Sequence, residues 1–268
     1  MTARLAQIWR YPLKAIGRER LSRVELSKGE TLPFDRYWAV MHDGATKKLN
    51  EDGSLGQWLP KSAFLRAAAS PALQAVSGGL SDGKLSLSHP EQGEITIDPN
   101  VEDDAERLIE WVTPLWPENK EPPARLVTAP DALTDSKKPF VSINSLDSLS
   151  ELETKVGGRL GVERWRGNLW IEGAKPFAEL DWIGRELTIG PARLRVMEPI
   201  GRCSAPAVDT QTGKPDHDMV RALGEHYGHS NFGVYAEVLE GGELAEMDEI
   251  ALVETSGDAE QPDRDSDA

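Results

Sequence analysis

Apolar positions along this chain fall in short runs closed by turn residues, and most of the runs predict strands. In "ARLAQIWRYPLK", Leu5, Ile8 and Trp9 precede Pro12, and in "RLSRVELSKGE", Leu21, Val24 and Leu26 precede a turn at Lys28-Gly29. "DRYWAVMHDG" has the aromatic and β-branched content of a buried strand, closed by Asp43-Gly44. "GKLSLSHPEQGEITID" reads as a hairpin: Leu85 and Leu87 alternate, residues 90–93 turn, and Ile95 and Ile97 alternate back. Later runs of the same kind are "NLWIEG", "ELTIG", "ARLRVMEP", "GVYAEVLE" and "EIALVE", the last two flanking a turn at Gly241-Gly242.

Three stretches follow the helical period instead. "EDDAERLIEWV" has acidic residues in its first turn and places Leu108, Ile109 and Val112 on one side. After a possible strand at 140–143, Ser145 has the character of an N-cap, with Leu146, Leu149, Leu152 and Val156 at helical spacing and Gly157-Gly158 as the stop. "HDMVRALGEHYG" aligns Met219, Val220, Leu223 and Tyr227 before Gly228. Between the first two helices, "TPLWPENKEPPARLVTAPDALTDSKKP" is Pro-rich and aperiodic and reads as a link between two halves. The pattern predicts a mostly β, α+β protein: an N-terminal barrel-like domain over 1–120, a second β-barrel domain with a few peripheral helices over 121–254, and an acidic disordered tail over 255–268.

Composition narrows the function. The 268 residues carry a formal charge of -15, which argues against nucleic acid as a partner. No apolar run is long enough to span a bilayer, and the first residues lack the apolar core of a secretory leader. One cysteine rules out an internal disulfide framework and a four-thiolate cluster, and fits a reducing cytoplasm.

That cysteine, Cys203, follows Arg202 where a strand-like run meets a Gly/Pro-rich turn. A free cysteine is most often a small core hydrophobe. A neighbouring guanidinium and a strand-to-loop junction point the other way, toward a functional thiol. In "ERWRGNLW", an extended backbone would put Arg164, Arg166 and Asn168 on one side, where they could hold a phosphate or another anion or form a solvated edge. The helix start near Ser142, Asn144 and Ser145 offers free N–H groups or is an ordinary cap. Lys14 and Arg36 are either surface cations or part of an anion site, and Arg36 stands among Phe34, Tyr37 and Trp38. His217, His226 and His229 match no familiar zinc spacing, and there is neither a dinucleotide fingerprint, nor a Walker loop, nor a nucleophile elbow.

Taken in order, Arg166, Asn168, the run 176–179 (PFAE), Trp182, Ile189-Gly190, Arg202-Cys203, Val208-Asp209 and Thr212-Gly213 resemble the MOSC domain, named after the C-terminal domain of molybdenum cofactor sulfurases. "YPLKAIG" and "LPFDRYWAVMHDG" resemble the β-barrel domain that precedes it in longer members, so the resemblance covers most of residues 1–254. It implies a molybdenum cofactor, a pterin with a terminal phosphate, held in a cleft between the two domains. Carried over, Cys203 would be the metal ligand and the catalytic residue. Arg166, Asn168 and Arg202 would contact the pterin or its phosphate, Lys14 and Arg36 would close over it, and Ser142 and Ser145 would fit it through the helix start. The likeness to amidoxime-reducing enzymes implies an oxidoreductase acting on N-hydroxylated or N-oxide-type small molecules, with electrons from a separate iron–sulfur or flavin protein. The chain departs from the family at Gly201, where a second cysteine is frequent, at Pro206 and Ala207, where threonines are, and at Ala15 and Thr210. Two alternatives stay open: a cofactor or sulfur carrier using a Cys203 persulfide, and a metal-free binding module.

Overall fold

The computed structural model describes residues 3–253; the stretch read as a disordered tail lies outside the described residues. Strand residues (36%) outnumber helical ones (23%), as the mostly β reading requires. In chain order the first half contains β1 (Arg4–Arg10), β2 (Glu19–Leu21), β3 (Arg23–Leu26), β4 (Trp38–His42), β5 (Ser77–Ser81), β6 (Lys84–His89), β7 (Gly93–Ile97) and helix α1 (Glu102–Val112). There follow β8 (Pro123–Thr128), β9 (Val141–Ser145), α2 (Leu146–Val156), β10 (Leu169–Glu172), α3 (Ala178–Asp181), β11 (Glu186–Ile189) and β12 (Ala192–Gly201). The chain closes with β13 (Val208–Asp209), β14 (Lys214–Pro215), α4 (Met219–Tyr227), β15 (Asn231–Glu240), β16 (Gly242–Ala245) and β17 (Ile250–Leu252).

The predicted hairpin is β6–β7, with Leu85 opposite Ile97 and Leu87 opposite Ile95. The helices begin and end on the residues that the sequence offers. Ser145 Oγ caps α2 by accepting from Ser148 N, Asp218 does the same for α4 from Arg221 N, and Gly157 and Gly228 end these helices in the left-handed conformation.

Sheet membership does not follow chain order. An eight-stranded sheet runs β17-β11-β12-β15-β9-β10-β1-β2, so the first two strands of the chain lie in the sheet of the second half. β1 pairs antiparallel with β10, Leu5 opposite Ile171 and Ile8 opposite Leu169, while β3 pairs with β16. The Pro-rich stretch read as a link holds β8, which returns to pair with β4. Among the described residues no pairing closes either half into a barrel; the first half keeps β5-β6-β7 and β4-β8 as separate small sheets.

Alternation along the strands builds two apolar layers on the large sheet. Ile143, Ile171, Val196 and Val234 face one core. Trp170 and Phe232 face the other, where α2 and α4 cover them with Leu149, Leu152 and Leu223. A further core under the first half gathers Leu13, Ile16, Val40, Leu85, Ile97 and Leu108.

One carboxylate is buried in this framework. Glu179, at the start of α3 and fully covered, accepts from Ser148 Oγ at 2.9 and 3.0 Å. Burial, helped by the charges of Asp147 and Asp181, pushes its pKa from 4.5 up to about 7, against the hydrogen bonds that favour the anion. The native state therefore keeps a proton that the unfolded chain has released, and stability falls as pH rises from about 4.5 through about 7. Urea unfolding at about pH 5 and about pH 8 should show Glu179→Gln losing less stability than wild type between the two, by an amount on the order of 3 kcal/mol. Parallel profiles would contradict this.

Candidate functional site

The two halves meet around a cavity of about 330 Å³, within the range of small-molecule pockets. Eight Lys and Arg side chains line it against two carboxylates, Asp35 and Asp135, in a chain that is strongly acidic overall. Local clustering therefore overrides net charge here, and the cavity favours an anion.

Beneath its wall Tyr11 lies fully buried just before Pro12, with the guanidinium groups of two lining residues, Arg36 and Arg166, over its ring. Arg36 lies 4.5 Å and Arg166 4.4 Å from the ring centroid. The phenol donates to Gly167 O at 3.2 Å, Tyr11 N donates to Asp35 Oδ1 at 2.9 Å, and burial raises the phenol pKa well above its usual value. Arg36 has a counter-ion in Asp35 and also donates to Arg166 O at 2.7 Å. Burial works against the Arg36 charge, but Asp35 outweighs it and raises the pKa.

Arg166 has no such counter-ion among the described residues. Its N–H groups reach only the carbonyls of Gly17, at 3.1 Å, and Leu13, at 3.4 Å. Desolvation, then the charge of Arg36, lowers its pKa to about 9. Arg202 is similar: it donates to Trp165 O at 2.8 Å and to Phe232 O, and burial lowers its pKa to about 10. Cations held by carbonyls alone leave their charge for an incoming anion.

Cys203 is exposed and lines the same cavity. It follows the end of β12 at Gly201, where Arg202 N donates to Ser230 O and ties the junction to the start of β15. The core-hydrophobe alternative does not describe this thiol. Tyr235, also on the wall, has its pKa raised by burial, so its phenol keeps its proton at neutral pH. Trp165 Nε1 is a buried donor with no partner.

Of the eight residues expected at the site, seven line the cavity: Lys14, Arg36, Ser142, Arg166, Asn168, Arg202 and Cys203. Ser145 does not. It is fully buried and its Oγ is occupied as the cap of α2, so the helix start faces the core. Ser142 and Asn168 are locked together, with Ser142 Oγ donating to Asn168 Oδ1 at 2.7 Å and accepting from Asn168 N at 2.8 Å. Lys14 is engaged internally: its ammonium donates to Leu133 O at 2.8 Å and to Asp135 Oδ1 at 2.6 Å. Burial lowers the Lys14 pKa, partly offset by Asp135.

The extended run expected at 164–168 is not formed. Glu163–Trp165 makes one 3-10 turn and Arg166 is left-handed at φ 52°. A Cβ on the next residue, Gly167, would stand 2.1 Å from Asn144 Oδ1, so this close approach needs glycine. Arg164 is thereby turned away from Arg166 to pair with Asp216 through both oxygens, at 2.9 and 2.7 Å. Tyr11, Asp35, Asp135 and Tyr235 were not singled out in the sequence; the neighbour pairs Asp35-Arg36 and Tyr11-Pro12 were the available signals. Among the described residues no three His, Cys, Asp or Glu side chains converge as a metal site, and no helix is long and apolar enough to cross a membrane.

Comparison with known proteins agrees with this architecture. The model of the MOSC N-terminal beta barrel domain matches residues 2–114 and that of the MOSC domain matches residues 131–251. The chain belongs to the MOSC-domain family. It is 27% identical over 265 residues to molybdenum cofactor sulfurase of Anopheles gambiae, covering 87% of this chain and 34% of that protein. It is 26% identical over 231 residues to mitochondrial amidoxime-reducing component 1 of Homo sapiens, covering 78% of this chain and 67% of that protein. The chain thus spans about a third of the length of the Anopheles sulfurase. Among solved structures it is similar to the YUAD protein from Bacillus subtilis, at 12% identity, 94% of this chain, 96% of that one and a TM-score of 0.43.

If Arg166 holds an anion, inorganic pyrophosphate should raise the Tm of the unloaded protein. At roughly a hundredfold excess over Kd the stabilisation is about 2.7 kcal/mol. Differential scanning calorimetry should show the gain largely lost in Arg166→Met and kept in Arg195→Met, whose partner is Glu186 outside the cavity. An equal gain in both variants would remove Arg166 from the anion site.

Proposed function

We propose that this protein binds the molybdenum cofactor and is a cytoplasmic oxidoreductase that removes oxygen from N-hydroxylated or N-oxide-type small molecules. Its electrons would come from a separate iron–sulfur or flavin protein. The observation that carries this is the company of Cys203: the chain's one thiol is exposed in the same cavity as Arg36, Arg166 and Arg202. The likeness to the human amidoxime-reducing component over 78% of this chain supports the reaction class.

The donor chemistry fits the group. A pterin phosphate needs cations that are not already neutralised, which Arg166 and Arg202 supply. A soft metal needs a soft ligand, and thiolate is one. Cys203 would hold the metal, Arg166 and Arg202 the anionic end, and Asn168, oriented by Ser142, would offer its amide. When bound, the cofactor supplies the two-electron oxygen-atom chemistry that no side chain here performs.

The residues of the chain do the remaining work. Cleaving the N–O bond consumes two electrons and two protons and releases water, leaving an N–H bond where an N-hydroxyl stood and the free nitrogen lone pair where an N-oxide stood. Tyr235 holds a phenolic proton at the cavity wall, kept there by burial. Leu65, Ala67, Phe140 and Pro206 make that wall apolar and limit water around the reacting centre.

Expression in a host that makes the cofactor, followed by elemental and pterin analysis, tests this. Wild type should carry about one molybdenum per chain, Cys203→Ala should lose metal in preference to pterin, and Arg166→Met should lose both. A well-folded wild-type protein with neither metal nor pterin would remove the proposal.

A second reading, as a sulfur carrier, is favoured by the exposure of Cys203 and by the similarity to a molybdenum cofactor sulfurase. Incubation with a cysteine desulfurase and mass spectrometry of Cys203 separates the two. A stable persulfide without turnover of an amidoxime favours the carrier, and absence of the persulfide favours the reductase.

A further inference from the structure

The loop that presents Cys203 is held from the first half of the chain by directional contacts. Gln74, 2% exposed, lies in the turn Pro71–Ala75. Its Nε2 donates to Ala205 O at 3.1 Å and to Arg164 O at 3.3 Å. Ala205 stands two residues after the thiol, and Arg164 stands two residues before the unneutralised guanidinium of Arg166. A single buried amide, with its two N–H groups, thus joins the segments that carry the two chemically distinctive groups of the cavity.

Gln74 is itself braced. Arg18, 9% exposed and without a carboxylate at ion-pair distance among the described residues, donates to Gln74 O at 2.8 Å, Val76 O at 2.7 Å and Thr210 O at 3.1 Å. It therefore clamps the far end of the same loop. The preceding residue, Gly17, gives its carbonyl to Arg166 at 3.1 Å. The loop also meets the turn that carries Gln74: Gly213, at φ +67°, leaves room for only a hydrogen there, since a Cβ would stand 3.1 Å from Ala72 Cα and 3.2 Å from Ala75 Cβ.

We infer that Gln74, braced by Arg18, is a positioning residue that sets the placement of the Cys203 thiol relative to the Arg166 guanidinium. The inference rests on the cavity proposed above as the functional site, but it concerns the unloaded chain. Apolar packing would hold the two segments together without fixing their spacing, because dispersion contacts are not directional. A buried amide that donates to both segments fixes their spacing and orientation, and losing it leaves the buried Arg164 carbonyl and the half-buried Ala205 carbonyl without this donor.

The test uses the full chain without cofactor. Because Cys203 is the only cysteine, alkylation by iodoacetamide reports on it alone. Its rate is measured against pH, together with hydrogen exchange at Ala207 N and Asp216 N, which close the loop onto Ser204 O and Ala207 O. Gln74→Met should shift the alkylation profile and speed exchange at these amides roughly fivefold. Gln74→Glu, which has no N–H to give, should do the same. Leu187→Ala, in the core of the large sheet, lowers global stability and should move neither readout. Should Gln74→Met not fold, Arg18→Lys and Gly213→Ala report on the same loop from its other contacts, with the same expectation. A wild-type profile and wild-type exchange in folded Gln74 variants would overturn the inference, as would the same changes in Leu187→Ala. Failure of wild type to bind metal or pterin would overturn the proposed function instead, and these readouts would be unaffected.

Discussion

The structure depends on two guanidinium groups held against one buried tyrosine ring. Arg36 and Arg166 come from halves of the chain 130 residues apart, and each lies about 4.5 Å from the centroid of Tyr11. Like charges so arranged repel, and only one of them has a carboxylate beside it. The tyrosine ring, the carbonyls of Leu13, Gly17 and Arg166, and the anchoring of Tyr11 N to Asp35 keep the cluster in place. What remains is a net positive charge directed into a cavity. A buried charge without a counter-ion is costly, and this cost is the physical basis for the anion site proposed above.

The cavity shows why the count of cations overstates what a ligand meets. Lys14 is given to Asp135, Arg164 to Asp216, and Lys138 to Glu198. Asp135 illustrates the balance: burial opposes its charge, yet Lys14, with help from Lys61, holds its pKa below the ordinary carboxylate range. Those pairs are internal structure, joining the segment of residues 133–138 and the loop after Cys203 to the body of the protein. The free electrostatic capacity lies with Arg166 and Arg202, which face carbonyls only, and with Arg66, which has no carboxylate at ion-pair distance among the described residues. Lys14, expected to close over an anion, is instead neutralised by Asp135 in the ligand-free state.

Local features of this fold were legible in the sequence, and non-local ones were not. Ser145, Gly157 and Gly228 mark helix ends because capping is decided within four residues. The hairpin of residues 84–97 was legible for the same reason. Nothing in the periodicity of residues 4–10 says that their partner lies at 169–172, because alternation reports which face is buried and not which strand is adjacent. The phase relation of Arg164, Arg166 and Asn168 failed for a sharper reason. It assumed an extended backbone, and the chain instead makes a 3-10 turn over 163–165 with Arg166 left-handed. The same turn that spoils the pattern separates the two arginines, one to a structural ion pair and one to the cavity.

This bears on the thiol. Cys203 was legible as a candidate because it is solitary and follows an arginine, but its usefulness depends on where the loop is held, which sequence does not show. The loop has short elements only, a 3-10 turn at Ala205–Ala207 and the two-residue pairing of β13 with β14. Such a segment has little intrinsic stability, since short strands and single turns order few hydrogen bonds for the backbone entropy they cost. Its conformation is therefore set from outside, by carbonyl contacts to Arg18, Gln74 and Arg164. Two of those three side chains, Arg18 and Gln74, belong to the first half, and the dependence of the Cys203 loop on them gives a physical reason for the two halves to act as one unit.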